Sequence, residues 1–518
     1  MDLERPIRGL ACGVFALAAG CASLPPQEGR EVSHALGDTS QTSLGRAVAP
    51  SMAARPGLTA VHALPEALDA FAARMVLAAA AERSIDAQYY IWHGDRTGIL
   101  LLETLCAAAR RGVRVRLLLD DQNTPGIEDL LAPLAAQPNL ELRLYNPFAR
   151  RGGVRIVAYL HDFGRLNRRM HNKSFIADNQ VAVVGGRNIG DEYFGAGSGM
   201  PFRDLDVVAA GKAVHDVSRQ FDLYWNSASA YPAPRLVGEA TPESMAALDQ
   251  RLAAVLAEAD SLVYLDAVRR TGLVSDLRNR RLPFEWTEAR LLHDDPAKTL
   301  DTSERTDVLL LGQILGGGER PRATLDIVSP YFVPGERGTA FLEELARTGI
   351  RIRVLTNSFA SSEAAVVHSG YAKRRCRLAR AGVRLFEFKP EGDLGSKEKD
   401  RRGMGSSSGA RLHAKTYATD GERIFVGSFN FDPRSALLNT EMGLIIRSTA
   451  LAGRLVTAFD GPVPAASYEV RARVEGECIE WVERTAAGEV THATEPGAGW
   501  AQRAWLGFLS LIPLDWML

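Results

Sequence analysis

The sequence predicts an α/β protein of two pseudo-symmetric domains, each a mixed β-sheet flanked by helices, sharing one active site. Three observations predict it: a strand–helix–strand pattern present twice, a histidine motif after each copy, and a nearly constant spacing between the copies. The runs Arg83–Trp92 (RSIDAQYYIW) and Thr324–Val333 (TLDIVSPYFV) have the β-branched and aromatic character of buried strands. Helical patterns follow, over Leu100–Arg111 and Thr339–Thr348. Gly112 and Gly349 then introduce alternating strands, VRVRLLL and IRIRVLT. A glycine closing a helix ahead of a β-branched run is an αβ joint. Equivalent points lie 240 (Asp86, Asp326), 237 (Gly112, Gly349) and 242 (His171, His413) residues apart, in preserved order. Strands alternating with helices imply a largely parallel or mixed sheet covered on both faces.

The halves are expected at 57–235 and 290–465. A helical connector over 236–289 joins them, Ala246–Ala259 being its clearest piece, and a C-terminal tail covers 466–518. At 518 residues, 46% hydrophobic and 24% charged, the chain has ample material for a large core. Basic and acidic residues nearly balance, 61 against 62, whereas nucleic-acid-coating domains have a pI above about 9. No nucleic-acid partner is expected, and no obligate protein partner is evident.

At the N-terminus Arg5 and Arg8 precede an apolar run, Gly9–Gly20, ending Ala18-Ala19-Gly20-Cys21. A basic start, a short apolar run and small residues before the cut describe a secretory signal. The cysteine makes residues 1–21 resemble a bacterial lipoprotein signal, which implies lipidation at Cys21 and a membrane-anchored protein in the cell envelope facing away from the cytoplasm. Ala22 after Cys21 is compatible with the outer membrane. The alternative is a short uncleaved anchor. Residues 22–56, rich in Ser, Pro, Gln and Gly, read as a flexible tether. Of the remaining cysteines, Cys106, Cys376 and Cys478 suggest neither a disulfide framework nor a metal cluster.

The motifs are His171-Asn-Lys173-x₄-Asp178 with Gly185-Gly186-Arg-Asn188, and His413-Ala-Lys415-x₄-Asp420 with Gly427-Ser428-Phe-Asn430. His and Lys two apart on an extended segment project from one face. Two copies brought together give two imidazoles, two ammonium groups and two amides around one cavity, an anion site with paired acid/base groups and no obvious metal ligands. Its natural ligand is a phosphodiester. Lys and Asn stabilise charge on the non-bridging oxygens, Asn188 and Asn430 being the expected phosphate-binding amides. One imidazole attacks phosphorus while the other protonates the departing oxygen. An imidazole needs an orienting carboxylate. Candidates follow each motif in Asp204-Leu-Asp206-Val-Val and Asn439-Thr-Glu441-Met-Gly-Leu-Ile-Ile, and aligning the apolar tails pairs Asp206 with Glu441. Asp178 and Asp420 complete the motifs and are counted with His171, Lys173, His413 and Lys415 as catalytic, although a carboxylate seven residues past the histidine, at a turn, also suits a supporting role that caps backbone or pairs with a base.

These paired motifs identify the chain as a member of the phospholipase D superfamily. The strings GGRNIGDEY (185–193), FRDLD (202–206), SPYFVP (329–334) and VHSGY (367–371) resemble bacterial cardiolipin synthases. The resemblance implies two phospholipase D-like domains and a phosphohistidine intermediate without metal or other cofactor. It further implies transfer of a phosphatidyl group to phosphatidylglycerol from a second phosphatidylglycerol or from phosphatidylethanolamine. It makes His171 the nucleophile and His413 the general acid. It departs in having no pair of membrane-spanning helices at the N-terminus. The alternative is a hydrolase acting on a phospholipid or nucleic acid through the same site.

Arg150, Arg151, Arg155, Arg165, Arg168 and Arg169 crowd the approach to His171, either gathering anionic headgroups or forming a solvated basic loop. Gly392–Gly409 reads as a loop before the second motif. Trp500–Leu518 reads as a tail tucked onto the domain or as an element at a membrane interface. His368 lines an acceptor pocket or is structural.

Overall fold

In the computed structural model the described residues are 24–511, apart from 125, 150, 152–157, 160, 198–199, 280, 301–308, 317–319, 363–364, 391–410 and 474–477. The signal segment with Cys21, Arg150, Arg155, Gly392–Gly409 and residues 512–518 lie outside them.

The first half supplies, in chain order, β1 (Thr59–Leu64), β2 (Ser84–Tyr89), β3 (Arg114–Asp120), β4 (Leu140–Tyr145), β5 (Ser174–Ala177), β6 (Val181–Gly185), β7 (Phe202–Arg203), β8 (Asp206–Gly211), β9 (Ala230–Pro232) and β10 (Glu285–Thr287). The second supplies β11 (Ala289–His293), β12 (Thr324–Val328), β13 (Arg351–Asn357), β14 (Arg384–Phe388), β15 (Arg411–Leu412), β16 (Thr416–Thr419), β17 (Arg423–Gly427) and β18 (Met442–Arg447). It continues with β19 (Ser467–Ala472), β20 (Ile479–Thr485) and β21 (Gly488–His492).

One sheet runs β10-β1-β8-β6-β5-β2-β3-β4-β9, the other β11-β18-β17-β16-β12-β13-β14-β19-β20-β21. From β1 to β9 and from β11 to β19 the two orders correspond position by position. Three central strands of each sheet are parallel (β2-β3-β4 and β12-β13-β14), and the flanking pairs β2–β5 and β12–β16 are antiparallel. The expected duplicated mixed sheet is therefore present.

The repeat extends to buried charge. Asp86 and Arg116, partners across β2 and β3, form a bidentate pair at 2.6 and 2.8 Å. Asp326 and Arg353 repeat it across β12 and β13 at 2.6 and 2.7 Å. Such fork geometry satisfies both groups at once, which buried charges require. The helix–strand joints also match. Gly112 and Gly349 follow the helices Arg96–Arg110 and Gly335–Arg347 at φ of 93° and 92°, a left-handed conformation that a side chain would strain.

The sheets face each other across one apolar cluster. Val184, Val207 and Ala209 of β6 and β8 meet Val426, Leu444 and Ile446 of β17 and β18, beside Phe221 and Trp225 of the helix Lys212–Trp225. The two halves thus share a core.

Three expectations are corrected. Residues from 24 to 56 do not form a loose tether: Arg30 donates to the carbonyls of Asn226 (2.6 Å) and Ala230 (2.9 Å), beyond the end of helix Lys212–Trp225. Carbonyls at a helix C-terminus lack partners and attract a cation. A helix, Ser43–Ala54, capped by Thr42, follows. The connector does contain helices (Pro242–Ala257, Ala259–Arg269, Gly272–Arg278), but it ends in β10, an edge strand of the first sheet. The tail belongs to the second domain, since β19, β20 and β21 extend its sheet beyond β14. Their charged open face, with pairs such as Arg384–Glu469 and Arg471–Glu489, masks the apolar alternation in the sequence.

The fold also brings Cys376 and Cys478, 102 residues apart, to a Cα separation of 5.8 Å as a disulfide, correcting the reading of unpaired thiols. It ties helix Ala365–Arg380 to β20. Cys106 remains a free, buried thiol, pushed up to about 12 by burial. Replacing both Cys376 and Cys478 by Ala is expected to lower stability by about 2–5 kcal/mol, since the bond closes a long loop. Urea unfolding under non-reducing conditions measures it.

Candidate active site

Each His-x-Lys segment immediately precedes a strand, β5 or β16, so its backbone is extended and its side chains leave the end of the sheet together. Each is also stitched to the other half. The His171 N–H donates to the Thr440 carbonyl at 2.9 Å, and the Thr440 N–H to the Arg169 carbonyl at 2.9 Å. The His413 N–H donates to the Arg203 carbonyl at 2.8 Å, where β15 lies parallel to β7.

Those partners set the next residue of each strand against an imidazole. Nδ1 of His171 lies 2.8 Å from Glu441 Oε2, and Nδ1 of His413 lies 2.5 Å from Asp204 Oδ2. Each half orients the other half's histidine. In both pairs the carboxylate engages Nδ1, so Nε2 is the ring nitrogen it does not hold. Tyr90 packs edge-on against the His171 ring at 4.9 Å, and Tyr193 and Phe202 flank His413 at 5.1 and 4.8 Å. The Lys173 and Lys415 ammonium groups each donate to the carbonyl of their own histidine at 2.6 Å. Lys415 Nζ also lies 3.2 Å from both nitrogens of the His413 ring.

The electrostatics place the motifs in one field. Burial lowers His171 well below the usual histidine range, and the charges of Lys173 and Lys415 add to that. Burial and Lys415 bring His413 down to about 4, against the pull of Asp204. Lys173 is likewise held well below the usual lysine range by burial, with Glu441 opposing and Lys415 reinforcing the shift. The carboxylates diverge. Burial pushes Glu441 up to about 7, although Lys173 opposes it. Asp204, despite its burial, is held below the carboxylate range by His413, Lys415 and Arg187.

Local differences accompany this. Glu441 accepts from the hydroxyls of Ser428 and Ser435, the latter at 2.7 Å. The position of Ser428 in the first half is Gly186, where a Cβ would sit 2.2 Å from Asp204 Oδ1. Serine serves one carboxylate, and only glycine leaves room for the other.

Asp206 does not orient a histidine. Its carboxylate accepts from Arg74 at 2.9 Å and lies 3.5 Å from Arg187, with all three groups buried. Gly185 pairs with Asp206 and Gly427 with Gly443, so Asp206 is equivalent to Gly443 and Asp204 to Glu441. The apolar-tail alignment slips by two residues, because Phe425 fills beside Gly443 the space a side chain would need.

Asp178 and Asp420 do not reach the pocket. Both sit at left-handed turns (φ 51° and 56°) and accept backbone N–H groups, Asp178 from Glu82, Arg83 and Ser84, Asp420 from Arg322, Ala323 and Thr324. They fasten the start of β2 and β12, so the catalytic placement is corrected to a structural one. The Asn188 amide accepts from the Ile91 N–H at 3.2 Å and donates to the Tyr193 hydroxyl at 3.0 Å. Asn430 is buried, with its side-chain oxygen unpartnered. The basic approach is largely structural: Arg165 binds the Pro147 carbonyl, Arg168 that of Lys298, Arg169 that of Asn146, and Arg151 pairs with Asp121. His368 Nε2–H donates to Glu495 at 2.8 Å, and Glu495 also holds Arg375. Among the described residues, His93, Asp95 and Glu192 bring ligand-type atoms within 4.8 Å of one another, outside both motifs.

Sequence reasoning passed over Asp204 in favour of Asp206, and missed Arg74, Arg187, Ser435 and the support beneath Glu441, whose N–H donates to Asp294 while Asp294 pairs with Lys298. One signal was available: Asp204 and Glu441 are 237 residues apart, the offset of Gly112 and Gly349.

A duplicated mixed sheet whose halves exchange carboxylates beneath two His-x-Lys segments defines a phospholipase D-like enzyme. The family described as cardiolipin synthase, PLD-like domain, matches residues 76–225 and 319–461, and the chain belongs to it. Cardiolipin synthase C of Escherichia coli (strain K12) is 45% identical over 478 residues, covering 92% of this chain and 99% of that protein. A cardiolipin synthase of Staphylococcus aureus (strain Mu50 / ATCC 700699) is 25% identical over 405 residues, 76% of this chain and 65% of that one. The crystal structure of phosphatidylserine synthase from Haemophilus influenzae Rd KW20 shares the fold, with a TM-score of 0.52 and 13% identity over 83% of this chain and 92% of that one.

The two first-half acids are expected to separate experimentally. Asp206→Asn leaves buried Arg74 and Arg187 without their anion and costs about 3–5 kcal/mol. Asp204→Asn costs markedly less stability. Chemical denaturation of both variants checks it.

Proposed function

We propose that the chain is a cardiolipin synthase-like phosphatidyltransferase. It moves a phosphatidyl group from phosphatidylglycerol, or from phosphatidylethanolamine, to the glycerol end of a second phosphatidylglycerol. The observation that carries this reading is the reciprocal pairing of two imidazoles with carboxylates of the opposite half, in one field shared with two lysines. The relative that is 45% identical along almost its whole length supports the substrate class and membrane association.

In the first step His171 Nε2 attacks phosphorus, a P–N bond forms, and the P–O bond to glycerol or ethanolamine breaks as His413 donates its proton to the leaving oxygen. In the second step His413 takes the proton of the acceptor hydroxyl, that oxygen attacks phosphorus, and the P–N bond breaks. Cardiolipin leaves and both imidazoles return to their starting state. Lys173, Lys415 and Asn430 stabilise the equatorial oxygens. The assignment of His413 as acid is supported by its firmly ionised partner: Asp204 favours an imidazolium more than Glu441, which burial drives toward its neutral form.

The disulfide supports an oxidising compartment, consistent with an envelope lipoprotein acylated at Cys21.

Purified protein given labelled phosphatidylglycerol, with and without phosphatidylethanolamine, is expected to yield cardiolipin. Phosphatidic acid alone identifies a hydrolase instead, and no turnover ends the reading. His171→Ala is expected to abolish exchange, and quenching the wild type in alkaline denaturant, where a phosphorus–nitrogen bond survives, to trap phosphorus label on His171. Asp204→Asn is expected to lower kcat by about 10²–10³-fold, within the range that general acid catalysis supplies. It also moves the alkaline limb of the pH–rate profile downward. The acid works only while protonated, and loss of the Asp204 charge lowers the pH at which His413 gives up its proton. An unmoved limb excludes His413 as the acid.

A further inference from the structure

We infer that the outer face of the C-terminal helix, Trp500–Leu511, is a membrane-docking surface that seats the enzyme on an anionic bilayer beside its active site. The inference rests on the phospholipid-substrate reading and adds the place at which the protein meets that substrate.

The helix carries one apolar face inward and another outward. Leu506 and Leu509 are buried and hold it against the rest of the domain, where it packs along helix Ala365–Arg380. Trp500, Trp505, Phe508 and Leu511 are 79%, 54%, 54% and 83% exposed. Ala501 and Ala504 are exposed between them. Arg503 is the helix's one charged residue, and it is partly buried. A contiguous exposed apolar patch marks an interaction site. Tryptophan and phenylalanine on one side of a short helix are the residues that settle at the level of lipid headgroups. Twelve residues span about 18 Å, suited to lying in the interface rather than crossing it. No helix among the described residues is long and apolar enough to cross a membrane.

Position favours a bilayer as the occupant. The turn before the helix presses Gly497 on Ala360, where an added Cβ would lie 2.9 Å from the Ala360 side chain. Ala360 belongs to the turn after β13. Asn357, the last residue of β13, holds Leu412 by two hydrogen bonds (3.0 and 3.1 Å), and Leu412 precedes His413. The turn that leads into the helix at Trp500 therefore lies at the end of the second sheet from which the His413 imidazole projects. The Glu495 contacts with His368 and Arg375 fix the segment just before this helix to helix Ala365–Arg380, and the Cys376–Cys478 bond ties the same helix to the start of β20. A docking face that begins at the His413 end of the sheet gives a lipid phosphodiester a short path from the leaflet.

The test uses the full chain with Cys21→Ser, so that no acyl chain contributes, and vesicles of phosphatidylglycerol and phosphatidylethanolamine with brominated acyl chains. Tryptophan fluorescence is expected to be quenched on binding. W500F/W505F is expected to bind equally and lose most of the quenching. W500S/W505S/F508S is expected to bind vesicles at least tenfold more weakly while turning over a monomeric short-chain phosphatidylglycerol at the wild-type rate. Three results overturn the inference: vesicle binding unchanged in the triple variant, quenching unchanged in W500F/W505F, or a dimer in light scattering that the triple variant dissolves. Quenching that appears only after removal of 512–518 also overturns it, because the chain's own end then covers the face. If the triple variant does not fold, the W500F/W505F comparison decides. Absence of short-chain turnover by the wild type ends the transferase reading and leaves the vesicle result to stand by itself.

Discussion

The exchange of imidazole–carboxylate pairs between the halves is the constraint on which the site depends. Glu441 reaches His171 only because Thr440 is hydrogen-bonded to the first half, and Asp204 reaches His413 only because β7 is paired with β15. Neither domain alone holds an oriented imidazole. Removing the carboxylate of either pair leaves the imidazole of the other half unoriented. The same geometry explains why strand order, Arg–Asp forks and aspartate-fastened turns repeat so closely. A pseudo-twofold site needs both histidines delivered from equivalent heights on equivalent sheets.

The symmetry is broken beneath the rings. Glu441 receives two serine hydroxyls and stands on Asp294 and Lys298, whereas Asp204 sits against bare Gly186 and feels Arg187. One carboxylate is driven toward neutrality and the other is held ionised. Two chemically identical motifs thereby acquire unequal proton affinities, which a double displacement needs if one ring is to stay a nucleophile while the other carries the proton.

The duplication was legible because strands of this kind have a two-residue period and helix ends require glycine, so Gly112 and Gly349 announce themselves. The histidines and lysines were legible because extended geometry fixes what shares a face. The carboxylates were harder. They lie 33 and 28 residues past their histidines, across loops of different length, so spacing within each half carries no register. Aligning the apolar tails then chose Asp206, whose partners Arg74 and Arg187 come from elsewhere in the first half and leave no local trace. The C-terminal strands escaped for a related reason. Their exposed faces are covered by Arg and Glu, and Glu469 belongs to a pairing with Arg384 that exists only in three dimensions.

The charge balance of the pocket leads to its selectivity. Beside the Lys415 ammonium, Lys173, His171 and His413 are held below their ordinary proton affinities, first by burial and then by neighbouring lysine charge. Such a cluster is disfavoured while empty, and its least costly remedy is an anion placed among the four groups. A diester phosphate brings one negative charge and no proton to lose, so it raises the proton affinity of the imidazoles beside it. On the proposed mechanism, binding of the substrate itself then favours the protonation that the general acid needs.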